Sequence, residues 1–378
     1  MNISATPEGG GVAELLKSII PLENSLGLKS SWYVINSPPP EFFAITKKMH
    51  NALQSSPVFL TPEEKEIYTK VNFNIAESLR KLPKADLYVI HDPQPLAVIS
   101  HVHDRPMVAR IHIDLSNPEP DTLGFILPYL NQYDHAIFSM KNFITPGIKM
   151  KKTVMLPAID PTLPKNIPME DAVCKAVLEK FAINTNYPLI SQISRFDPWK
   201  DPIGVIQAYY EAKNSVQHLQ LALVGVIQAQ DDPEAMEVYE HVKKHAKGDP
   251  DIFLFADSGG LSEVTNDVLV NVVQSASDVV LQKSIKEGFG LTVTEAMWKG
   301  KAVIAGNVGG ITKQIRNGKD GYLVSSAEEA SEKIIKIIKN ENLKKRLGRS
   351  ARLRVKNNFL ITRLIRDQLK LYKKLLKL

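Results

Sequence analysis

Two α/β domains, each built on a parallel sheet, are what this sequence predicts, and three observations carry the prediction. Short apolar runs alternate with amphipathic helical patterns along almost the whole chain. The 378 residues exceed the size at which a single hydrophobic core stops growing. Near the middle, Pro157, Pro161, Pro164 and Pro168 in LPAIDPTLPKNIP interrupt any regular element.

The expected strands fall into two sets. MNISA, SWYVIN, ADLYVIH, PMVARIHI and DHAIFSM belong to the first half; PLISQIS, LQLALVG, DIFLF, DVVLQ and KAVIAG belong to the second. They delimit an N-terminal domain at 1–156, a linker at 157–168 and a C-terminal domain at 169–359. The closing stretch, 360–378, repeats Leu and Ile every third or fourth position. It predicts an amphipathic helix that packs back toward the N-terminal domain.

Composition narrows the function classes. With 44% hydrophobic and 23% charged residues, the chain reads as a soluble globular protein. No apolar run reaches the length of a membrane span, and MNISATPEGGG lacks the basic and apolar regions of a signal peptide, so a cytoplasmic location is expected. Cys174 is the only cysteine, which excludes an internal disulfide and a cysteine-based zinc site. It sits in DAVCKAVLEKF at helical apolar spacing, as a core residue would. The net charge of +6 gathers in segments such as KIIKIIKNENLKKRLGRSARLRVKNN, where basic residues alternate with Ile and Leu at helical spacing. That pattern describes a solvated outer helix face, so neither nucleic acid nor a membrane is expected as a partner.

Chemistry concentrates where strands end. After SDVVLQKS, the segment EGFGLTVTEAMWKG places Glu287 before a Gly288-Phe289-Gly290 turn and Glu295 inside a helix closed by Gly300. The glycines serve either a tight turn or a ligand, and Glu295 is either a helix-terminus carboxylate or a binding group. EGGGVAELL puts Gly9, Gly10 and Gly11 between the first strand and a helix. Glu14 stands where the dinucleotide fingerprint needs glycine, so a structural turn and an anion-binding loop both remain open. SRFDPWKDP carries Arg195 and Lys200 to the carboxyl edge of a strand, where open α/β sheets bind ligands and where two cations suit a diphosphate.

VIHDPQPLAV and ARIHIDLSNP likewise set His91 with Asp92 and His112 with Asp114 at strand ends, pointing toward a cleft. Hydroxyl-rich ligands need such mixed donors and acceptors, and no metal site is expected because no further ligands cluster there. HVHD, residues 101–104, reads as surface. No G-x-S-x-G elbow occurs, and the eight positions between Glu287 and Glu295 do not fix their separation as a glycosidase pair.

Taken together, SRFDPWK, EGFGLTVTEAMWKGKAVIAGNVGG and the N-terminal glycine loop resemble the retaining glycosyltransferases of GT-B fold, the family of sucrose synthases and bacterial glycogen synthases. Within that family, GGGVAELL, EFFAITKKMHNALQ, HDPQP, HIDLS and SRFDPWK are similar to the trehalose glycosyltransferring synthases. The resemblance implies two Rossmann-like, doubly wound domains facing a central cleft. It implies transfer of glucose from a nucleoside-diphosphate glucose, such as UDP-glucose or ADP-glucose, to free glucose, giving α,α-trehalose. No metal or cofactor beyond that donor is implied, and the partners are the nucleotide glucose, glucose and trehalose.

Residue by residue, it implies that Glu287 holds hydroxyls of the transferred hexose and Glu295 the ribose diol. Phe289, Gly290 and Leu291, with Gly288, would offer backbone amides to phosphate and sugar. Arg195 and Lys200 would neutralise the leaving diphosphate, and His112 would lie beside the donor hexose. Gly10 and Gly11 fall on the donor side, and His91, Asp92, Gln94 and Asp114 on the acceptor side. Trehalose phosphorylase, a transferase using another acceptor and a nucleotide-sugar-binding non-enzyme are the alternatives.

Two departures stand out. Asp201 occupies the position after Lys200 where the family carries glycine. The chain also begins almost at its first strand, where relatives carry a helical extension. The exposed edge is then expected to be covered by the C-terminal helix or by a second copy in a homodimer.

Overall fold

Each of the ten apolar runs becomes a strand in the computed structural model, which describes residues 1–8, 11–102, 105–225, 233–256 and 264–378. The chain opens as β1 (Asn2–Ser4), α1 (Gly11–Ser25), β2 (Trp32–Val34), α2 (Pro40–Leu53), α3 (Pro62–Arg80), β3 (Tyr88–His91), β4 (Met107–Ile111), α4 (Pro120–Leu130), β5 (His135–Phe138) and β6 (Lys151–Val154). It continues as α5 (Asp171–Lys180), β7 (Leu189–Ile193), α6 (Pro202–Lys213), β8 (Gln220–Val224), α7 (Pro233–Ala246), β9 (Ile252–Phe255), α8 (Asn266–Ala276), β10 (Val279–Gln282), α9 (Leu291–Trp298), β11 (Ala302–Gly306), α10 (Ile311–Gln314), β12 (Tyr322–Val324), α11 (Ala327–Ile338) and α12 (Glu341–Asn358). It closes with α13 (Ile361–Leu375). Two units result, residues 1–157 with 361–378 and residues 158–360. Among the described residues, no helix is long and apolar enough to cross a membrane.

In the first unit every strand pairing is parallel, in the order β2-β1-β3-β4-β5-β6. Strand alternation separates two faces. Ile3, Ile90, Ala109 and Ile111 join Phe42, Tyr68 and Ile126 in one apolar core with α2, α3 and α4. Asn2, His91 and Arg110 point the other way, the side where Arg110 meets Tyr372 and Arg363 of α13. Helix α13 buries Leu364, Ile365, Gln368, Leu371 and Tyr372 and packs on α1. Local signals fix the elements: Thr61 and Glu64 form a reciprocal capping box on α3, with Pro62 as its first residue.

The second unit is also parallel throughout, ordered β12-β11-β10-β7-β8-β9. One face carries α6 and α11 over Ile190, Leu221, Leu281 and Ile304; the other carries α5 and α8 over Leu189, Ile193 and Ala222. This is a doubly wound sheet. Cys174 lies in the second of these cores, where burial pushes its thiol pKa up.

Candidate functional site

A doubly wound sheet has one place where consecutive connections leave in opposite directions, and a crevice opens there beyond the carboxyl ends of the strands. In the second unit that place lies between β7 and β10. SRFDPWK follows β7 and KSIKEGFG follows β10, so the sheet order alone brings these two segments together. Lys200 Nζ donates to Glu287 Oε2 at 2.7 Å, and Ser284 Oγ donates to the same oxygen at 3.2 Å. The Lys200 and Glu287 side chains are only 18% and 10% exposed. Around them the backbone is stitched across the strands: Ile285 N–H donates to Trp199 O, Gln192 Nε2 to Lys200 O, and Lys283 N–H to Gln192 Oε1.

Asp201 adopts a left-handed backbone, φ +48°, which explains why glycine suits this position and why aspartate is tolerated. Its Oδ1 accepts from Gly204 N–H at 3.0 Å and caps α6, while Oδ2 pairs with Lys283 Nζ. Two ion pairs thus bridge the two loops. Arg195 differs from them: its side chain is 73% exposed, with Asp197 at 3.3 Å.

The glycines earn their places by close approach. Gly290 caps α9 at φ +80°. Gly309 lies at φ +46°, and a Cβ there would meet Glu287 O at 1.7 Å. By helix geometry the amides of Leu291 and Thr292 have no partner within α9, so the turn ends in an anion-favouring helix terminus.

Glu295 sits in the second turn of α9, 2% exposed, and Lys165 Nζ pairs with its Oε1 at 2.8 Å. Lys165 is held there because Asn271 Nδ2 donates to both Pro164 O and Ile167 O, at 2.7 and 2.9 Å. The ammonium of Lys299 lies in the same buried environment. Burial, with Lys165 and Lys301 adding repulsion and Glu295 opposing, lowers its pKa to about 8. Sequence reasoning missed Lys165, whose proline-rich surroundings read as a linker, and missed Lys283, which only its position right after β10 could have flagged.

In the first unit the reversal falls between β1 and β3. The glycine loop follows β1; Gly9 and Gly10 lie outside the described residues, and Gly11 begins α1. His91 ends β3. Its Nε2 lies 3.1 Å from Asn2 Oδ1 and its Nδ1 3.1 Å from His112 Nε2. Burial and the nearby Arg110 lower the His91 pKa to about 3 and the His112 pKa well below its usual value. Asp92, at φ +62°, accepts from the His112 backbone N–H at 2.7 Å. Burial raises its carboxyl to about 7, opposed by that hydrogen bond and by Arg110.

The expectation that His91 and Asp92 face a ligand needs correction. His91 is 1% exposed and Asp92 7%. Strand alternation turns His91 under the helix-covered face, and the left-handed turn at Asp92 aims its carboxylate at backbone amides. His112, Gln94 and Asp114 are half-buried. The Gln94 carbonyl is held by Asn72 Nδ2 at 3.1 Å, and Asp114 Oδ1 accepts from Ser116 N–H at 2.8 Å. Of HVHD, His101 is half-buried, while His103 and Asp104 lie outside the described residues. Among the described residues, no three His, Cys, Asp or Glu side chains converge as metal ligands.

Comparison with known proteins identifies the family. Residues 2–145 match the family described as trehalose synthase, N-terminal domain, and residues 175–354 match glycosyl transferases group 1. A trehalose synthase of Rubrobacter xylanophilus is 40% identical, covering 100% of this chain and 90% of that protein. One from Pyrococcus horikoshii is 41% identical, covering 96% and 86%. A trehalose phosphorylase of Pleurotus sajor-caju is more distant, 28% identical over 86% of this chain and 51% of its own length. In three dimensions the chain is similar to a sucrose-phosphate synthase from Thermosynechococcus elongatus, TM-score 0.74 at 18% identity over 99% and 98% of the two chains. An Anabaena protein solved in complex with UDP-glucose gives a TM-score of 0.72 at 17% identity over 99% and 98%. The fold is GT-B, and the chain belongs to the trehalose synthase family of group 1 glycosyltransferases.

Proposed function

We propose that the chain is a retaining glucosyltransferase that moves glucose from a nucleoside-diphosphate glucose to free glucose, forming α,α-trehalose and a nucleoside diphosphate, reversibly. The observation that carries this reading is the half-buried Lys200–Glu287 pair at the β7/β10 reversal, beside the start of α9. One carboxylate and several cations there suit a ligand with hydroxyls at one end and phosphates at the other.

In this reading Arg195, Lys200 and the α9 amides stabilise charge that collects on the diphosphate as the C1–O bond breaks. Such preorganised positive charge lowers the barrier without a metal. Glu287 accepts from hexose hydroxyls while anchoring Lys200, and Glu295 accepts from the ribose diol with Lys165 on its other oxygen. Retention follows if the acceptor oxygen bonds to C1 on the face the phosphate leaves, with a phosphate oxygen taking the acceptor's proton. No carboxylate nucleophile is then required.

The test is to incubate the purified protein with UDP-glucose, ADP-glucose or GDP-glucose plus glucose, and to read the disaccharide by chromatography and its linkage by NMR. Release of nucleoside diphosphate in step with α,α-trehalose is the expected result. Cleavage of trehalose by inorganic phosphate with no nucleotide present would replace this reading with a phosphorylase, the activity named for the Pleurotus relative. In the Glu287→Ala variant transfer should vanish while nucleotide binding persists; in Glu295→Ala nucleotide binding itself should weaken.

A further inference from the structure

Beneath His112 lies a run of polar side chains that the transfer chemistry leaves unused. We infer that Glu23, Ser30, Asn2 and His91 form a one-directional hydrogen-bond chain that holds His112 as its Nε2–H tautomer, leaving Nδ1 as a bare acceptor for a sugar hydroxyl. The inference deepens the proposed function, since it rests on placing His112 beside the hexose.

The direction is set at the far end. Glu23, 2% exposed, accepts at Oε2 from Ser30 Oγ at 2.6 Å, so the serine hydroxyl spends its one proton there. Ser30 Oγ is then left only to accept, and it does so from Asn2 Nδ2 at 3.5 Å, the longest link. With its nitrogen turned to Ser30, the Asn2 amide presents Oδ1 to His91 Nε2 at 3.1 Å. An amide oxygen only accepts, so His91 carries its proton on Nε2.

His91 is enclosed beside the buried Arg110, and both press it to stay neutral. A neutral ring with Nε2–H has a bare Nδ1. His112 Nε2, 3.1 Å away, must therefore donate to it. The two rings lie 16° from coplanar with centroids 5.4 Å apart, an edge-to-edge arrangement that keeps the N–H···N line near both ring planes. Asp92 fixes the other variable, gripping the His112 backbone N–H at 2.7 Å. What His112 has left is one lone pair on Nδ1. That nitrogen accepts from a hydroxyl and offers nothing to a phosphate oxygen, so it selects the sugar end of a donor over its diphosphate end.

The experiment labels the full chain with 15N-histidine and records long-range 1H–15N correlations at neutral pH without substrate, with His91→Gln and His112→Gln used for assignment. His112 should show a protonated Nε2 and a bare Nδ1. A proton on Nδ1, or a doubly protonated ring, would overturn the inference. Ser30→Ala releases the Asn2 amide, so a second tautomer should appear at His112 and kcat/KM for transfer should fall about tenfold, the scale of one misdirected hydrogen bond. Ser30→Thr should restore both. A merely structural role for Ser30 would lower the Tm and leave the His112 spectrum unchanged, which also sinks the inference. If the tautomer is as expected but His112→Gln transfers normally, the placing of His112 at the hexose fails instead.

Discussion

Removing Lys200 should harm stability and catalysis by separable amounts. At 2.7 Å and an effective dielectric of about 20, the Lys200–Glu287 attraction is about 6 kcal/mol before the cost of desolvating both groups. Losing one partner of a pair this enclosed costs about 3 kcal/mol, the low end of the usual range, because Ser284 Oγ still donates to Glu287. For a unit of this size that lowers the Tm by about 6–12 °C. Removing both partners leaves no stranded charge, so Lys200→Ala/Glu287→Ala should be more stable than the two single costs add up to, by about 2 kcal/mol. Chemical denaturation of wild type, both single variants and the double variant closes the cycle. Transfer assays on Lys200→Ala should show kcat/KM reduced at least about 100-fold, the scale of one lost electrostatic donor at a leaving group. A coupling energy within about 0.5 kcal/mol of zero would refute the half-buried pair, and near-normal transfer would refute the role of Lys200.

Three further outcomes are expected. Gly309→Ala should cost about 3 kcal/mol or more and abolish transfer, since its Cβ would fall 1.7 Å from Glu287 O at a left-handed φ; a soluble, fully active variant would contradict the close approach. Lys299 has a folded pKa of about 8 against 10.5 unfolded. Its stabilising contribution is present above pH 10.5 and lost as pH falls through 8, a change of about 3 kcal/mol by linkage. Urea titrations of wild type should show that slope, and Lys299→Met should flatten it. Cys174→Ser buries a hydroxyl in an apolar core and should cost about 1–2 kcal/mol while leaving specific activity unchanged; a loss of turnover per folded molecule would assign the thiol a chemical role.

Periodicity made the central strands legible because each is a continuous apolar run buried on both sides, as in β4 and β8. Two of the four edge strands, β6 and β12, escaped it. Lys151–Val154 reads KKTV and is largely exposed, so it carries no apolar signature, and Tyr322–Val324, though apolar, is only three residues long, too short to show a period. The candidate site divides along similar lines. Lys200 and Glu287 were visible because each follows a readable strand, and their meeting depends only on β7 lying beside β10. The partners of Glu295 and of His112 were not visible. Lys165 stands far from Glu295 in sequence and Asn2 far from His91, and only tertiary packing joins them. The interior placing of His91 was equally hidden, because a strand-end histidine looks the same whether it faces a ligand or lies beneath a helix.

The first unit is not encoded in one piece. Its covalent order is interrupted: residues 1–157 wait for 361–378, with the whole second unit encoded between. Until α13 has been synthesised, Arg110 lacks the cover that Tyr372 and Arg363 give it. The second unit, continuous from 158 to 360, has no such dependence. The later-encoded unit is thus the one whose contacts all lie within a single unbroken stretch of chain. The nascent first unit must stay unfinished for some two hundred residues of translation, the interval in which a chaperone would have most to hold.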